Sequence, residues 1–144
     1  MSKHSIKWIK ETRRSSRHVL FIGRPASTLA NHLYEASGQC YLVSVSLHAD
    51  SGLISACTPY DCYVLDADYL GDVTEAMNNI LSVHPDARIL VISDSFDWED
   101  ATNAFRLGAI NVVRTPQTSI ITRETIKYAM NQQLPRRQPG NVSV

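Results

Sequence analysis

Five short apolar runs, each followed by a stretch of helical spacing, constrain this chain more than any single residue does. The runs are Val19 to Gly23, Cys40 to Ser46, Asp61 to Asp66, Arg88 to Ser93 and Ile110 to Val113. Each is too short to be a helix, and several carry the β-branched residues that suit a pleated surface. Strands alternating with helices argue for a parallel sheet covered on both faces. Right-handed crossovers in such a sheet bring functional residues to the carboxyl ends of the strands.

The helices are read from their breakers and their periodicity. Pro25 and Ser27 open the first, whose apolar residues are Leu29, Leu33 and Tyr34, and Gly38 stops it. Ala49 to Cys57 is a weaker helix with Gly52 inside it. Val73 to Val83 carries Val73, Met77, Ile80 and Leu81 on one side. Asp97 to Leu107 has acids in its first turn, which suits the positive end of the helix dipole, and ends at Gly108. Ser119 to Gln133 is the last helix, with Ile120, Ile121, Ile126 and Met130 expected as its apolar residues.

With 144 residues the chain is long enough for one domain with a real core. It is 44% hydrophobic and 19% charged, and no apolar run approaches the roughly 18 residues that a membrane span needs. Residues 1–10 lack the apolar stretch of a signal peptide, so a cytoplasmic location is expected. Cys40, Cys57 and Cys62 form no C-x-x-C pair and are read as reduced thiols, buried for Cys40 and Cys62. His4, His18, His32, His48 and His84 are scattered without the spacing of metal ligands.

The zero net charge hides an uneven distribution. Residues 1–18 carry six Lys/Arg against Glu11 alone, whereas residues 19–134 carry six against thirteen Asp/Glu. The chain is therefore divided into a basic N-terminal extension (1–18), a domain (19–134) and a flexible C-terminal tail (135–144). The extension is read as a solvated segment; Ile6, Trp8 and Ile9 also allow a short amphipathic helix there.

The strand ends carry the chemistry. They read Gly23-Arg24-Pro25 after the first strand, Asp66-Ala67-Asp68 after the third, Ser93-Asp94 after the fourth and Arg114-Thr115-Pro116 after the fifth, with Gly108-Ala109 just before the fifth. This arrangement resembles the receiver domain of two-component response regulators over residues 19–133. The resemblance implies a doubly wound, flavodoxin-like (βα)5 fold. It also implies that Asp66 stands at the position that accepts a phosphoryl group from a histidine kinase, that Ser93 is the hydroxyl that would bond it, and that Gly108, Ala109 and Pro116 are family anchors.

The departures bear on activity. Where the family has an acidic pair that holds Mg²⁺, this chain has Gly23 and Arg24; where it has Lys before the proline, Thr115 stands, with Arg114 one step earlier. The switch aromatic of the fifth strand is replaced by Val112. Transfer of a phosphoryl group to a carboxylate brings two anions together, and a divalent cation normally neutralises the developing charge. Arg24 would repel that cation and could pair with Asp66 instead. Asp66, Asp68 and Asp94 are the weak candidates for a rebuilt cation site. A one-residue shift along a strand turns a side chain to the other face, so Arg114 replaces the missing Lys only at an irregular strand end.

The chain is accordingly read as a pseudo-receiver, a non-enzymatic signalling domain without a cofactor that acts through protein contact. Mg²⁺ enters only in the alternative, a conventional receiver phosphorylated at Asp66. No helix-turn-helix follows the last helix, so the expected partner is another protein, an effector domain or a second copy joined through the last two helices. Trp98, Phe105, Ile121 and Tyr128 are the candidate anchors, with core packing the competing role of Phe105. A membrane partner is not expected. A nucleotide- or flavin-binding enzyme is disfavoured because Gly23-Arg24-Pro25-Ala26-Ser27 lacks the glycine pattern that cradles a pyrophosphate. Nucleic-acid binding would rest on the basic extension alone.

Overall fold

The computed structural model describes residues 17–134, apart from 39, 51, 53, 55–58 and 96. Residues 1–16, Cys57, most of the helix expected over Ala49–Cys57 and the tail 135–144 lie outside the described residues; Gly52 and Ile54 are helical.

Strands β1 (His18–Ile22), β2 (Leu42–Ser46), β3 (Cys62–Asp66), β4 (Ile89–Ile92) and β5 (Asn111–Val113) form one sheet. Its order is β2-β1-β3-β4-β5, and every pairing is parallel. The helices are α1 (Thr28–Ser37), a short α2 (Ala67–Leu70), α3 (Thr74–Val83), α4 (Trp98–Leu107) and α5 (Ser119–Asn131). Each expected strand is present; β1 begins one residue earlier and ends one earlier than expected, and the others are trimmed by one or two residues. Helix α2, directly after β3, had no signal in the periodicity.

Local chemistry sets the helix boundaries. Ser27 accepts a hydrogen bond from the N–H of Ala30, Asp97 from that of Asp100 and Thr118 from that of Ile121, each satisfying a donor that the first turn leaves free. At the end of α4, Gly108 adopts φ 119°, a backbone conformation that side chains disfavour, and its N–H closes the helix onto Ala104 and Phe105.

The central strands are buried on both faces, and alternate residues feed two separate cores. Val19, Phe21, Cys62, Val64, Leu90 and Ile92 point into the layer shared with Leu29 and Leu33 of α1 and Ile126, Ala129 and Met130 of α5. Leu20, Ile22, Tyr63, Leu65, Ile89 and Val91 point into the other, with Met77 and Ile80 of α3 and Ala104 of α4. Full burial of each large aliphatic side chain contributes about 1.5–3 kcal/mol. Among the described residues, no helix is long and apolar enough to cross a membrane.

Tyr34 and Ile120, expected on apolar helix faces, are exposed, and so are Phe105 and Ile121, for which the sequence also offered a role as interaction anchors. In α4 the buried residues are Ala101 and Ala104, with Leu107 packed against the core, while Trp98 and Phe105 turn outward. In α5 Thr122 takes the buried place instead of its isoleucine neighbours, its hydroxyl donating to the carbonyl of Thr118 at 2.7 Å. Cys62 is a free, buried thiol that burial pushes up to about 12, so it stays protonated. Cys40 is free but only half-buried and precedes β2 rather than lying within it.

Candidate functional site

Asp66 ends β3, the central strand of the sheet, so the backbone delivers its carboxylate to the carboxyl rim. There it caps α2, accepting a hydrogen bond from the N–H of Tyr69 at 3.3 Å. Partial burial pushes this carboxyl above its ordinary value. The N–H groups of Tyr69 and Asp68 pull it back, while the charges of Asp68 and Asp94 push it up further. The net result is a carboxylate that its surroundings disfavour as an anion.

Gly23 follows β1 beside Asp66. A Cβ built there would stand 2.5 Å from the ring of Phe21 and 3.1 Å from the Cβ of Asp66. Phe21 is fully buried, so a shift of its ring would disturb the core. Any side chain here would force the Phe21 ring to shift, so this packing disfavours an acidic residue. Arg24 is exposed and lies over the ring of Tyr69, 5.6 Å from its centroid. The pairing of Arg24 with Asp66 expected from the sequence is replaced by this stacking. Tyr69 in turn donates its hydroxyl to the carbonyl of Leu47 at 3.0 Å, tying α2 to the end of β2.

Two residues beyond Asp66, the exposed Asp68 is held far more tightly. Its Oδ1 accepts from the hydroxyl of Ser93 at 2.6 Å and from that of Ser95 at 2.8 Å. Its Oδ2 accepts from the N–H of Asp94 at 2.8 Å. The hydroxyl of Ser93 also accepts from the N–H of Ser95 at 3.1 Å. Desolvation pushes the Asp68 carboxyl up, but these donors together outweigh it and hold the group below its ordinary value. Strand parity explains the choice of partner. Asp66 continues the side of Cys62 and Val64, whereas Ser93 continues the side of Ile89 and Val91, which belong to the other layer.

The weak cation site expected from Asp66, Asp68 and Asp94 does not form. Among the described residues, no three acidic, histidine or cysteine side chains stand close enough to hold a metal ion. Asp68 has both oxygens committed to Ser93, Asp94 and Ser95, and the packing around Gly23 disfavours a further acid. The residues present do not fit Mg²⁺.

The remaining sequence candidates sit around the same rim. Val112 on β5 is half-buried and lines a cleft of about 400 Å³ together with Asp68, Ser93, Ser95, Val91 and Asn103. Arg114 is exposed, Pro116 is buried, and the carbonyl of Thr115 accepts from the side-chain amide of Gln117 at 3.1 Å. Away from the rim, Trp98 is 85% exposed at the start of α4, and Phe105 follows two turns later. Ile121 and Tyr128, seven residues apart on α5, are also exposed. The rim residue that sequence reasoning passed over is Ser95, which donates to Asp68. Its only signal was a second hydroxyl two residues after Ser93.

No protein-family model matches the sequence, and no curated protein matches it. Solved structures do match its fold. A response regulator from Thermotoga maritima superposes with a TM-score of 0.69 at 15% identity, covering 81% of this chain and 99% of that one. A CheY-like response regulator receiver domain protein from Methanospirillum hungatei JF-1 gives 0.69 at 17% identity, covering 81% and 95%. An orphan response regulator of H. pylori gives 0.68 at 19% identity, covering 81% and 98%. The fold of this chain is that of response-regulator receiver domains.

Proposed function

We propose that this chain is a receiver-type signalling domain that works through protein contact, without Mg²⁺-dependent phosphorylation of Asp66. The observation that carries this reading is Gly23. Its place beside Asp66 is crowded by the Phe21 ring and by the Cβ of Asp66 itself, so an acid there would have to displace a buried ring. Without a cation, the approach of a phosphoryl anion to Asp66 meets uncompensated charge from Asp68 and Asp94. Ser93, the hydroxyl that would receive a phosphoryl oxygen, already donates to Asp68.

In this reading the domain is not an enzyme, needs no cofactor and acts in the cytoplasm. Its output runs through the exposed apolar residues of the last two helices: Trp98 and Phe105 on α4, Ile121 and Tyr128 on α5. Large aromatic side chains at the surface supply most of the binding energy when a partner covers them. The partner is a separate protein, an effector domain or a second copy of the chain.

A conventional receiver phosphorylated at Asp66 is the competing reading, favoured by the delivery of that carboxylate to the carboxyl end of the central strand. An amide NMR titration with Mg²⁺, then with Mg²⁺ and beryllofluoride, separates the two. The contact reading expects no saturable shifts at Asp66, Ser93 or Thr115 at millimolar Mg²⁺. Shifts that saturate and vanish in Asp66→Asn establish the phosphorylation switch instead.

A further inference from the structure

The two edges of the sheet are finished differently. β5 is three residues long and runs into Arg114 and Pro116, a charge and a proline that discourage further pairing. β2 pairs with β1 in unbroken register and carries no such protection. Residues 36–49 contain no Asp, Glu, Lys, Arg or Pro. The N–H of Leu42 donates to the carbonyl of Arg17 at 2.7 Å, and the carbonyl of Ser46 accepts from the N–H of Gly23 at 3.0 Å. Residues 42, 44 and 46 therefore turn their backbone towards β1, and alternation turns the N–H and C=O of Val43 and Val45 to the open edge. Ser44 is exposed; Leu42 on the same strand and Leu47 just after it are 54% and 48% exposed.

We propose that β2 is a self-association edge that takes a second copy of this chain, paired antiparallel about Ser44. That register is self-complementary. Val43 of each copy exchanges two backbone hydrogen bonds with Val45 of the other, and Ser44 faces Ser44 as the close, non-hydrogen-bonded pair at the twofold axis. Val43 then lies beside Val45 on one face and Leu42 beside Ser46 on the other, cross-strand pairs that add to the bonds. Charge selects the occupant. Residues 19–134 carry thirteen acids against six Lys/Arg, so two copies repel each other over most of their surface. Along the uncharged stretch 36–49 they approach without opposing charges, whereas the start of α4, with Asp97, Glu99 and Asp100, sets acid against acid. Joining β2 to β2 puts both β5 strands at the far ends of the continuous sheet and leaves the α4 surfaces open to a different partner. Self-association at β2 and recognition at α4 and α5 are then separate events.

Sedimentation velocity of the full chain over rising micromolar concentration tests this. The wild type should self-associate. Ser44→Lys sets like charges opposite each other at the axis and should weaken self-association roughly fivefold. Ser44→Glu should do the same, and mixing the two variants should restore association as a heterodimer. Trp98→Ala should leave self-association unchanged, which separates this edge from the α4 surface. Because Ser44 is exposed, each variant should keep the wild-type unfolding midpoint. Ser44→Cys gives an independent readout: mild oxidation should link two copies covalently, as it should not link the wild type with its Cys40, Cys57 and Cys62. A monomeric wild type overturns the proposal, and Val43 and Val45 amides that resist exchange in that monomer would show the edge covered by its own chain. It is equally overturned if Ser44→Lys associates like the wild type, if the opposite charges fail to restore association, or if Trp98→Ala alone abolishes the dimer.

Discussion

At the carboxyl ends of β3 and β4 the polar groups find their partners inside the chain: Asp66 caps α2, Asp68 gathers Ser93, Asp94 and Ser95, and Arg24 stacks on Tyr69. On α4 and α5 the apolar groups do the opposite, and Trp98, Phe105, Ile120, Ile121 and Tyr128 face outward. In a domain that takes its signal from a small ligand, the rim would hold the open valences and the helices would be quiet. Here the rim is closed and the helices are open. The proposed contact reading rests on this contrast, with recognition through the helices and a structural role for the rim.

The strongest challenge to that contrast is to reopen the rim. Gly23→Asp should lower stability by about 1–3 kcal/mol, because its Cβ is forced against a buried ring. Urea unfolding measures this, and isothermal titration should find no Mg²⁺ binding in the variant. A stable Gly23→Asp protein that binds Mg²⁺ would show the rim to be adaptable and remove the main support for the contact reading.

Next in size is the helix surface. Trp98→Ala should leave stability within about 0.5 kcal/mol of wild type, as exposed substitutions usually do. It should weaken association with the partner by about 2 kcal/mol, roughly 30-fold in Kd. Sedimentation of the chain alone tests the second-copy case. A loss of stability above about 1 kcal/mol would mean that Trp98 packs within its own domain.

Asp68→Ala should cost about 1 kcal/mol, the net worth of a hydrogen bond, since Ser93 is left without its acceptor while Asp94 and Ser95 can turn to water. Thermal unfolding gives the number. Equal stability would mean that the turn after β4 does not depend on the Asp68 carboxylate.

The smallest effect is in acid, and the two aspartates contribute with opposite sign. Asp66 has its folded value raised, so its relative contribution is greatest below the ordinary value of 3.8 and is lost as pH rises through the higher folded value. Asp68 has its folded value lowered, so its contribution is present above 3.8 and is lost as pH falls through the lower one. Stability profiles of Asp66→Asn and Asp68→Asn should therefore depart from wild type on opposite sides of that value. Asp66→Asn should be at least as stable as wild type at neutral pH.

The sequence carried the sheet almost whole, because strands buried on both faces are apolar throughout and glycine, proline and capping residues punctuate them. It placed Asp66, Ser93, Val112 and Thr115 at the rim for the same reason. What it could not reveal was which carboxylate meets Ser93. That depends on the two-residue alternation of β3 and β4 and on α2, a helix of four residues, too short to leave a periodic trace. On α4 the sequence left Phe105 between an anchor and a core role, because pattern reading gives little weight to Ala101 and Ala104, the two residues that are buried. Thr122 was missed because its hydroxyl hides its polarity in the helix itself.

The strand order also has a consequence for how the molecule is made. Read from the N-terminus, β2 joins β1, β3 joins the free side of β1, β4 joins β3 and β5 joins β4. Every strand leaving the ribosome therefore meets a neighbour already synthesised, and the sheet can grow in the order of translation. The two cores do not close together. The layer of α3 and α4 has its helices before β5 emerges, whereas the layer of α1 waits for Ile126, Ala129 and Met130 of α5, the last helix described. Until that helix docks, Val19, Phe21 and Val64 have lost one wall, and the nascent domain carries an apolar face on one side only.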